Sequence, residues 1–402
     1  MKIFVISQYY YPEPFRVYEV CEELVRKGHE VTVLTGLPNY PEGKVYKGYE
    51  NFAAPFEMIK GVKVYRCQNR PRKSGVINLS LNYLSFVKAA KKKLKKMSVD
   101  CDVIYVYQLS PVLMALPAIA LKKRIHKPLY LYCLDLWPAS IDDYIGNKSF
   151  LYEIVANKSR QIYSNADRIG VTSPAFRDYL RRLCGKKTPE IKYFPQHAED
   201  LTIRHEINIE DNGIVDFIFA GNIGSSQNMG IVLKAADMLK SHGLTFRVHI
   251  VGSGSELDNL KKQADAMQLG ECVIFHGRHP SSEMWKFYSL ADVCLLTLTG
   301  NGAVSLTIPG KLQSYMSAGR MIIASIDGAS KDIIEDAHCG ICVPAGDAEG
   351  LYKAMAQYIE SPKKYVECGK NARRYFEEHF TLEQHVRELE KQLRKTIKTQ
   401  MH

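Results

Sequence analysis

Short apolar runs typical of buried strands recur along the whole chain, and a stretch with helical periodicity follows each of them. In the first half these runs are KIFVIS, HEVTVLTG, VKVYRC, CDVIYVYQ, PLYLYCLDLW and RIGVTS. In the second half they are VDFIFAGN, FRVHIVGSGS, CVIFHGR, DVCLLTL, RMIIASI and GICVPA. Alternating strands and helices predict parallel sheets covered by helices on both faces, because parallel strands need a crossover connection. The sequence therefore predicts an α/β fold with doubly wound sheets.

The chain has 402 residues, enough for two or three domains that each bury a core. The segment from His197 to Gly213 is polar and acidic, and it predicts a linker. We expect a first Rossmann-like domain over residues 1–197, a second over 214–378, and a C-terminal helix within 379–402 that crosses back to the first domain. Two such domains are expected to face a central cleft at the carboxyl ends of their strands, where ligands of these folds bind.

Positive charge is concentrated at the start of the chain. The formal net charge is +11, and the first hundred residues hold 13 Lys and 5 Arg against 9 Asp and Glu. The segment FVKAAKKKLKKM, Phe86 to Met97, predicts a helix whose apolar side chains face inward. Its basic stretch from Lys88 to Lys96 is either a solvated surface or a site that attracts anionic lipid. Nucleic acid is a weaker interpretation, because no binding motif accompanies the charge.

Several other classes of protein lack support in the sequence. No run of eighteen apolar residues predicts a membrane span, and the start, MKIFVISQYYYPEP, reads as a strand rather than as a signal peptide. The ten cysteines are scattered, and Cys339 and Cys342 of CGIC lead into an apolar run typical of core residues rather than of a redox or zinc site. No metal-ligand spacing or Walker loop is present, so neither a metal nor a cofactor is expected.

A glycine turn interrupts the stretch FAGNIGSSQNMGIVLKAADML, Phe219 to Leu239. The apolar run ends at Gly221, and Asn222 and Gly224 precede a helical pattern that begins near Gln227. Helix starts present unpaired N–H groups and a partial positive charge, and glycine lets a ligand approach the backbone. The arrangement predicts an anion site.

Two further loops of the second half carry basic residues after strands. Arg278 ends the stretch CVIFHGR, just after a predicted strand, where it is either a surface residue or a contact for a diphosphate or a base. In the stretch TIPGK, Thr307 to Lys311, Gly310 and Lys311 open a helix. A lysine at a helix N-terminus is unfavourable for the dipole unless an anion binds there, so the sequence predicts a phosphate role for Lys311.

In the first half, three loops are candidates. Glu13 follows the first strand, where it either faces a ligand or forms a surface ion pair with Arg16 in a prolyl turn. Asp135, beside Trp137, either orients a polar hydroxyl or caps the next helix. The Tyr-, Pro- and Gly-rich loop LTGLPNYPEGKVYKGY either contacts sugar or lipid or is a packed surface loop.

Taken in order, GHEVTVLTG, PNYPEGK, DLWPAS, NADRIGVTSPAFRDYL, FIFAGNIG, CVIFHGR, TIPGKLQSYMSAGRMIIAS and GICVPAGDAEGL resemble the retaining glycosyltransferases of family 4. The similar subset builds bacterial capsule, O-antigen and related glycans. The resemblance implies the GT-B fold, metal-independent chemistry, a nucleotide-sugar donor in the second domain with UDP as the expected nucleotide, and a lipid-linked saccharide acceptor in the first. It also implies a cytoplasmic enzyme that is peripheral at the inner face of the plasma membrane.

The sequence departs from the family pattern at two places. Leu306 and Ser314 stand where most members carry two glutamates, so Gln313 or Ser314 is expected to bind the nucleotide ribose instead. Asn222 and Gln227 stand where many members carry Arg and Lys, which leaves Lys311 and Arg278 for the diphosphate.

We therefore expect Asp135, Glu13 and Lys311 to carry catalysis. Two alternatives remain at this point: a non-hydrolysing UDP-sugar epimerase, and a catalytically silent glycan-binding or scaffold protein.

Overall fold

The computed structural model describes residues 1–73, 75–142, 146, 149–203, 213–300 and 305–399. The chain forms two compact units, one from Met1 to Pro195 together with the segment from Leu382 onward, and one from Gln196 to Thr381. Residues 204–212 of the predicted linker and residues 301–304 of the predicted loop before Lys311 lie outside the described residues.

The first unit contains a sheet in the order β3-β4-β2-β1-β5-β6-β7-β8. Its strands are β1 (Lys2–Ile6), β2 (Glu30–Thr35), β3 (Phe56–Ile59), β4 (Val62–Arg66), β5 (Val103–Gln108), β6 (Leu129–Cys133), β7 (Arg168–Val171) and β8 (Glu190–Tyr193). All neighbouring pairs are parallel except β3 with β4. The chain leaves β1 in one direction towards β2 and returns on the other side at β5, so the carboxyl ends of β1 and β5 flank the switch point.

The helices of the first unit follow its strands in alternation. They are α1 (Val17–Arg26), α2 (Val76–Lys96), α3 (Leu116–Ile125), α4 (Phe150–Tyr163) and α5 (Pro174–Cys184). In α2 the side chains of Phe86, Ala90 and Leu94 are buried, as the apolar spacing of this segment predicts.

The second unit contains a six-stranded parallel sheet in the order β11-β10-β9-β12-β13-β14. Its strands are β9 (Val215–Ala220), β10 (Phe246–Val251), β11 (Val273–Gly277), β12 (Val293–Thr297), β13 (Met321–Ser325) and β14 (Gly340–Val343). Numbered within the unit, this is the order 3-2-1-4-5-6 of the Rossmann fold. The switch point therefore lies between the carboxyl ends of β9 and β12.

Helices cover both faces of this second sheet. They are α6 (Gly230–Ser241), α7 (Leu257–Ala266), α8 (Met284–Leu290), α9 (Gly310–Ser317), α10 (Ala329–Asp336), α11 (Ala348–Glu360) and α12 (Val366–His379). Successive residues of β9 enter opposite cores: Phe217 and Phe219 pack in one, Ile218 and Ala220 in the other. A strand that is apolar on both sides is what a doubly wound parallel sheet requires.

The last helix, α13 (Leu382–Thr399), belongs to the first unit. Its Val386, Leu389 and Leu393 are fully buried in the core that α1 and β1 also form. The predicted fold class, two doubly wound Rossmann-like domains, is confirmed. None of the described helices combines the length and the apolar character that crossing a bilayer demands.

The CGIC pair lies at β14. Cys339 is fully buried and Cys342 half-buried, and burial raises the pKa of both thiols to about 12. Both are protonated at neutral pH, which agrees with their interpretation as core residues.

Candidate functional site

Two glycine turns meet at the carboxyl ends of β9 and β10. Gly221 and Gly252 have φ values of +145° and +148°, and the Gly221 N–H donates to Val251 O at 2.9 Å. A Cβ on Gly252 would lie 1.8 Å from Gly221 O. Only glycine permits such a close approach, so these turns leave the strand ends open to a ligand.

The turn after β9 is also tied across the switch point to β12. The Thr297 hydroxyl donates to Gln227 O at 2.6 Å, and the Thr299 N–H donates to Ser226 O at 2.9 Å. These bonds hold the segment that begins at Gly224 against the end of β12 and so fix the backbone at the switch point.

Helix α9 places a lysine beside the turn after β9. The Tyr315 hydroxyl accepts from Ala220 N–H at 3.0 Å and so holds the helix against the end of β9. Lys311 lies one turn earlier, at the i, i+4 spacing that shares a helix face. Its Cδ lies 3.2 Å from where a Cβ on Gly221 would be, and its Nζ donates to Gln227 Oε1. We call Gly221, Gln227 and Lys311 the Lys311 site.

Lys311 is partly buried, and its ammonium has a neutral hydrogen-bond partner, Gln227, rather than a carboxylate. Burial lowers its pKa to about 7, and among the described residues it makes no ion pair. A partly buried cation without an opposite charge is unfavourable, and an anion bound beside it would favour the charged form. The Lys311 site therefore has chemistry that suits an anion, and the predicted phosphate role of Lys311 stays a prediction.

The other predicted residues of this region lie around the Lys311 site to different extents. Asn222 is exposed, and its Nδ2 lies 2.8 Å from where a Cβ on Gly224 would be. Gly310 is the first residue of α9, and the Thr307 carbonyl accepts from the Ser330 hydroxyl at 3.4 Å in the preceding loop.

The two predicted ribose ligands differ in their environment. Gln313 is 5% exposed, and its Nε2 donates to Gln196 O at 2.6 Å. This amide therefore connects α9 to the start of the unit, which corrects its expected role as a ligand. Ser314 is partly exposed, with its hydroxyl on Gly310 O at 3.2 Å, and remains the predicted ribose contact.

Arg278 does not join the Lys311 site in the described contacts. It is exposed and follows β11, the edge strand of the sheet, two strands away from β9. Two strand spacings amount to about 10 Å. Its predicted contact with a diphosphate stays a prediction.

In the first unit, Glu13 is buried rather than presented to a ligand. It is 1% exposed; its Oε1 accepts from the N–H groups of Asn39 and Tyr40, both at 2.8 Å, and its Oε2 from Tyr10 N–H at 3.2 Å. Burial raises its pKa to about 7. The expectation that Glu13 faces the acceptor is corrected: it positions the loop after β2 through main-chain bonds.

Asp135 lies just beyond the carboxyl end of β6 and is partly exposed. Its Oδ1 accepts from the Ser140 hydroxyl and its Oδ2 from Trp137 Nε1 at 3.1 Å, and that indole nitrogen also reaches the Ser110 hydroxyl at 3.2 Å. These are side-chain partners rather than the N–H groups of a helix start. Ser110, Asp135, Trp137 and Ser140 form what we call the Asp135 cluster.

A second cluster beside it escaped the sequence analysis. Arg72 is half-buried, with its guanidinium 5.3 Å from the centre of the Tyr40 ring. Burial raises the pKa of Tyr83, the Arg72 charge opposes that rise, and Asp135 adds to it, so Tyr83 lies near both charges. The Arg72 side chain also donates a hydrogen bond to the Tyr9 hydroxyl, and we call Tyr9, Tyr40, Arg72 and Tyr83 the Arg72 cluster. The only signal in the sequence was the RPRK stretch before α2.

The basic helix is only partly what its sequence predicts. Lys93 points inward, where its Nζ donates to Arg66 O at 2.9 Å and burial lowers its pKa. The exposed face of α2 carries Lys88 in line with three exposed apolar side chains, Ile77 (77%), Leu81 (39%) and Leu84 (54%). The solvated basic face is thus continuous with an apolar one.

Both units match models of known protein families. The model described as "Glycosyltransferase Family 4" matches residues 15–195, and the model described as "Glycosyl transferases group 1" matches residues 202–375. Each match covers most of one compact unit, and together the two matches span residues 15–195 and 202–375.

A relative of full length supports the same conclusion. The chain is 23% identical to the glycosyl transferase WcaI of Escherichia coli (strain K12), over 97% of this chain and 100% of WcaI, whose name assigns it to colanic acid biosynthesis.

Among solved structures, the sucrose-phosphate synthase of Thermosynechococcus elongatus has a TM-score of 0.76 at 18% identity, over 99% of both chains. Anabaena Alr3699/HepE in complex with UDP has a TM-score of 0.70 at 14% identity, over 98% of this chain and 100% of that one. These two likenesses concern the fold.

Two Rossmann-like units, each matched by a glycosyltransferase family model, define a sugar-transferring enzyme of the GT-B class. With both halves matched, the chain belongs to the family 4 glycosyltransferases.

Proposed function

We propose that the enzyme transfers a sugar from a UDP-sugar to a hydroxyl of a lipid-linked saccharide during the synthesis of a cell-surface glycan. Transfer proceeds with retention of configuration and without a metal ion, as the family resemblance implies. The UDP bound by HepE and the colanic acid role of WcaI support the donor and the pathway class. The observation that carries the proposal is the uncompensated Lys311 ammonium beside Gly221 at the switch point of the second sheet.

The donor diphosphate binds at the Lys311 site. The glycine turns let its oxygens approach the backbone, and Lys311 becomes charged as they do. When the bond to the sugar breaks, negative charge develops on the diphosphate, and a cation already in place stabilises it. Lys311 can supply this because Tyr315 and Gln227 fix α9 and the lysine side chain before the donor arrives.

The acceptor binds at the carboxyl edge of the first sheet. Asp135 is held by Trp137 and Ser140, so its carboxylate has one orientation in which to accept a hydrogen bond from the acceptor hydroxyl. A positioned carboxylate of this kind orients the nucleophile and takes up its proton as the new bond forms.

The enzyme is held at the inner face of the plasma membrane by its first unit. The lysines of α2 attract anionic lipid, and the exposed Ile77, Leu81 and Leu84 enter the interface. Helix α4 begins with further exposed apolar side chains, Phe150 (82%), Leu151 (54%) and Ile154 (49%). Both helices follow strands, so these N-terminal ends lie towards the edge of the sheet that carries Asp135.

The test is incubation with a panel of nucleotide sugars and a lipid-linked saccharide, with release of nucleoside diphosphate and labelled product as readouts. We expect release that depends on the acceptor, and a loss of about 100-fold or more in Lys311→Ala and in Asp135→Asn while both variants stay folded. Conversion of the sugar nucleotide without an acceptor would identify an epimerase instead. Binding without any turnover would contradict the proposal.

A further inference from the structure

We propose that Arg72 binds a phosphate group of the acceptor, the one that joins its saccharide to the lipid. This inference rests on the proposed function and names the chemistry of the acceptor that the first unit recognises.

The backbone of Arg72 is fixed before any substrate arrives. Its N–H donates to Asn39 Oδ1 at 2.6 Å, and the Asn39 N–H donates in turn to Glu13. The loop after β2 packs closely on the other side, because a Cβ on Gly43 would lie 1.7 Å from Arg72 O. Buried Glu13 thus supports Arg72 through Asn39.

The charge of Arg72 lacks a carboxylate partner. Arg66, six residues earlier and fully buried, forms an ion pair with Glu57 at 2.7 Å. Arg72 is half-buried and makes no ion pair among the described residues; its guanidinium donates to the Tyr9 hydroxyl and lies 5.3 Å from the centre of the Tyr40 ring. A guanidinium carries five N–H groups, so the single bond to the Tyr9 hydroxyl does not use all of them, and the nearby Tyr40 ring adds attraction for the cation.

The chemistry of these donors selects a phosphate. The planar guanidinium presents its N–H groups as a fork that matches two phosphate oxygens, and such charged bonds are stronger than neutral ones. Tyr83 lies near both Arg72 and Asp135, so a phosphate on Arg72 is a neighbour of the acceptor hydroxyl. This suits an acceptor whose reactive sugar lies close to its diphosphate.

The test begins with binding, which does not require turnover. Citronellyl diphosphate is titrated calorimetrically into the enzyme in the presence of saturating UDP, which occupies the donor site. We expect Arg72→Gln to weaken binding by about 10- to 100-fold and Arg72→Lys to weaken it less. The matched control is Arg70→Gln, because Arg70 is an exposed arginine of the same segment and should leave the affinity unchanged. Thermal melting of each variant shows that it is folded.

Transfer then compares two acceptors, one with the sugar linked through a diphosphate and one with the same sugar on a neutral alkyl chain. We expect Arg72→Gln to raise the KM of the first about as much as it weakens diphosphate binding, and to leave the KM of the second unchanged. Equal effects on both acceptors, equal losses in Arg70→Gln, or unchanged diphosphate binding in Arg72→Gln would overturn the inference.

A third arm measures binding to phosphatidylglycerol vesicles that contain no diphosphate. Loss of vesicle binding in Arg72→Gln together with unchanged diphosphate binding would assign the phosphate to a lipid headgroup and overturn the inference. If no sugar is transferred to any acceptor, the proposed function fails, while the diphosphate titration still decides whether Arg72 binds this group.

Discussion

The Lys311 ammonium lies 4.2 Å from the centre of the Phe219 ring, at the point where β9 ends. The Phe219 ring belongs to a buried core. Its face attracts the ammonium, but it neither hydrates the ammonium nor neutralises its charge. A lysine in this position lies at the switch point and is only partly protonated at neutral pH. The following two predictions depend on this partial protonation.

Donor binding should be accompanied by proton uptake. Because burial lowers the pKa of Lys311 to about 7, most of this amine is neutral at pH 8, and the diphosphate of a bound UDP-sugar should recharge it. Calorimetry at pH 8 in buffers of different ionisation enthalpy should show uptake of almost one proton, falling towards zero at pH 6. In Lys311→Met the residual binding should show no such dependence. Uptake that is equal at both pH values would contradict the assignment.

The same lysine should make the free enzyme less stable than a neutral replacement. Its pKa is about 7 when folded and 10.5 in the unfolded chain, so the unfolded state binds more protons between these values, and stability rises with pH across that window. Lys311→Met should therefore melt at a higher temperature than the wild type at pH 7, and the difference should shrink towards pH 10. Differential scanning fluorimetry across this range measures it; a constant difference would show that the charge of Lys311 is not its cause.

Gly252→Ala should distort the Lys311 site by displacing the turn that contains Gly221. The new Cβ would lie 1.8 Å from Gly221 O, in a backbone conformation with φ of +148°, so the turn after β9 must move. We expect a loss of stability of about 1–3 kcal/mol and much weaker UDP binding. The matched control is Gly270→Ala, since nothing lies within 4 Å of its Cβ position. Equal UDP affinity in the two variants would show that the Gly221 turn does not shape the site.

Glu13→Ala should separate acceptor binding from donor binding. The variant leaves the N–H groups of Tyr10, Asn39 and Tyr40 without their acceptor, which costs about 1–3 kcal/mol of stability and loosens the loop that supports Arg72. We expect a higher KM for the acceptor and an unchanged Kd for UDP. Glu22→Ala removes an exposed ion pair with Lys60 and should change neither constant. A parallel rise of both constants in Glu13→Ala would argue for a general loss of structure.

Vesicle binding should depend on two kinds of side chain on α2. Replacing Ile77 and Leu84 by Ser should weaken binding to phosphatidylglycerol vesicles by about 10-fold or more at any salt concentration, because the apolar contribution is not screened. Lys88→Glu should weaken it mainly at low salt. The control is Val366→Ser, a similarly exposed apolar side chain of the second unit. If all variants bind alike in vesicle sedimentation, α2 does not contact the membrane.

The strands, the helices and the position of Lys311 at a helix start could be predicted from the sequence, because each depends on local patterns. The glycine turn at Gly221 and the helix start at Gly310 identify an open strand end and an unpaired helix terminus without knowledge of the partners. The sequence could not show that the Tyr315 hydroxyl would accept a hydrogen bond from Ala220 N–H, since this contact joins residues 95 positions apart.

The roles of Glu13, Gln313 and Arg72 were not accessible, because each depends on how much the folded chain covers it. Glu13 and Gln313 lie beside strand and helix ends as expected, yet both are buried and engaged with the main chain. Arg72 belongs to a basic stretch that resembles any solvated surface until Tyr40 is seen to cover it. Carboxyl-edge position is a property of sequence order, whereas exposure is a property of packing.

Helix α13 completes the core of a unit whose other members lie nearly two hundred residues earlier. During synthesis, the core of the first unit stays incomplete until α13 has been made. The second unit can therefore fold while the surface that packs against Val386, Leu389 and Leu393 is still exposed. A chain that lacks α13 should therefore expose apolar core residues, bind chaperones and be degraded by proteases, although it contains every strand of both sheets.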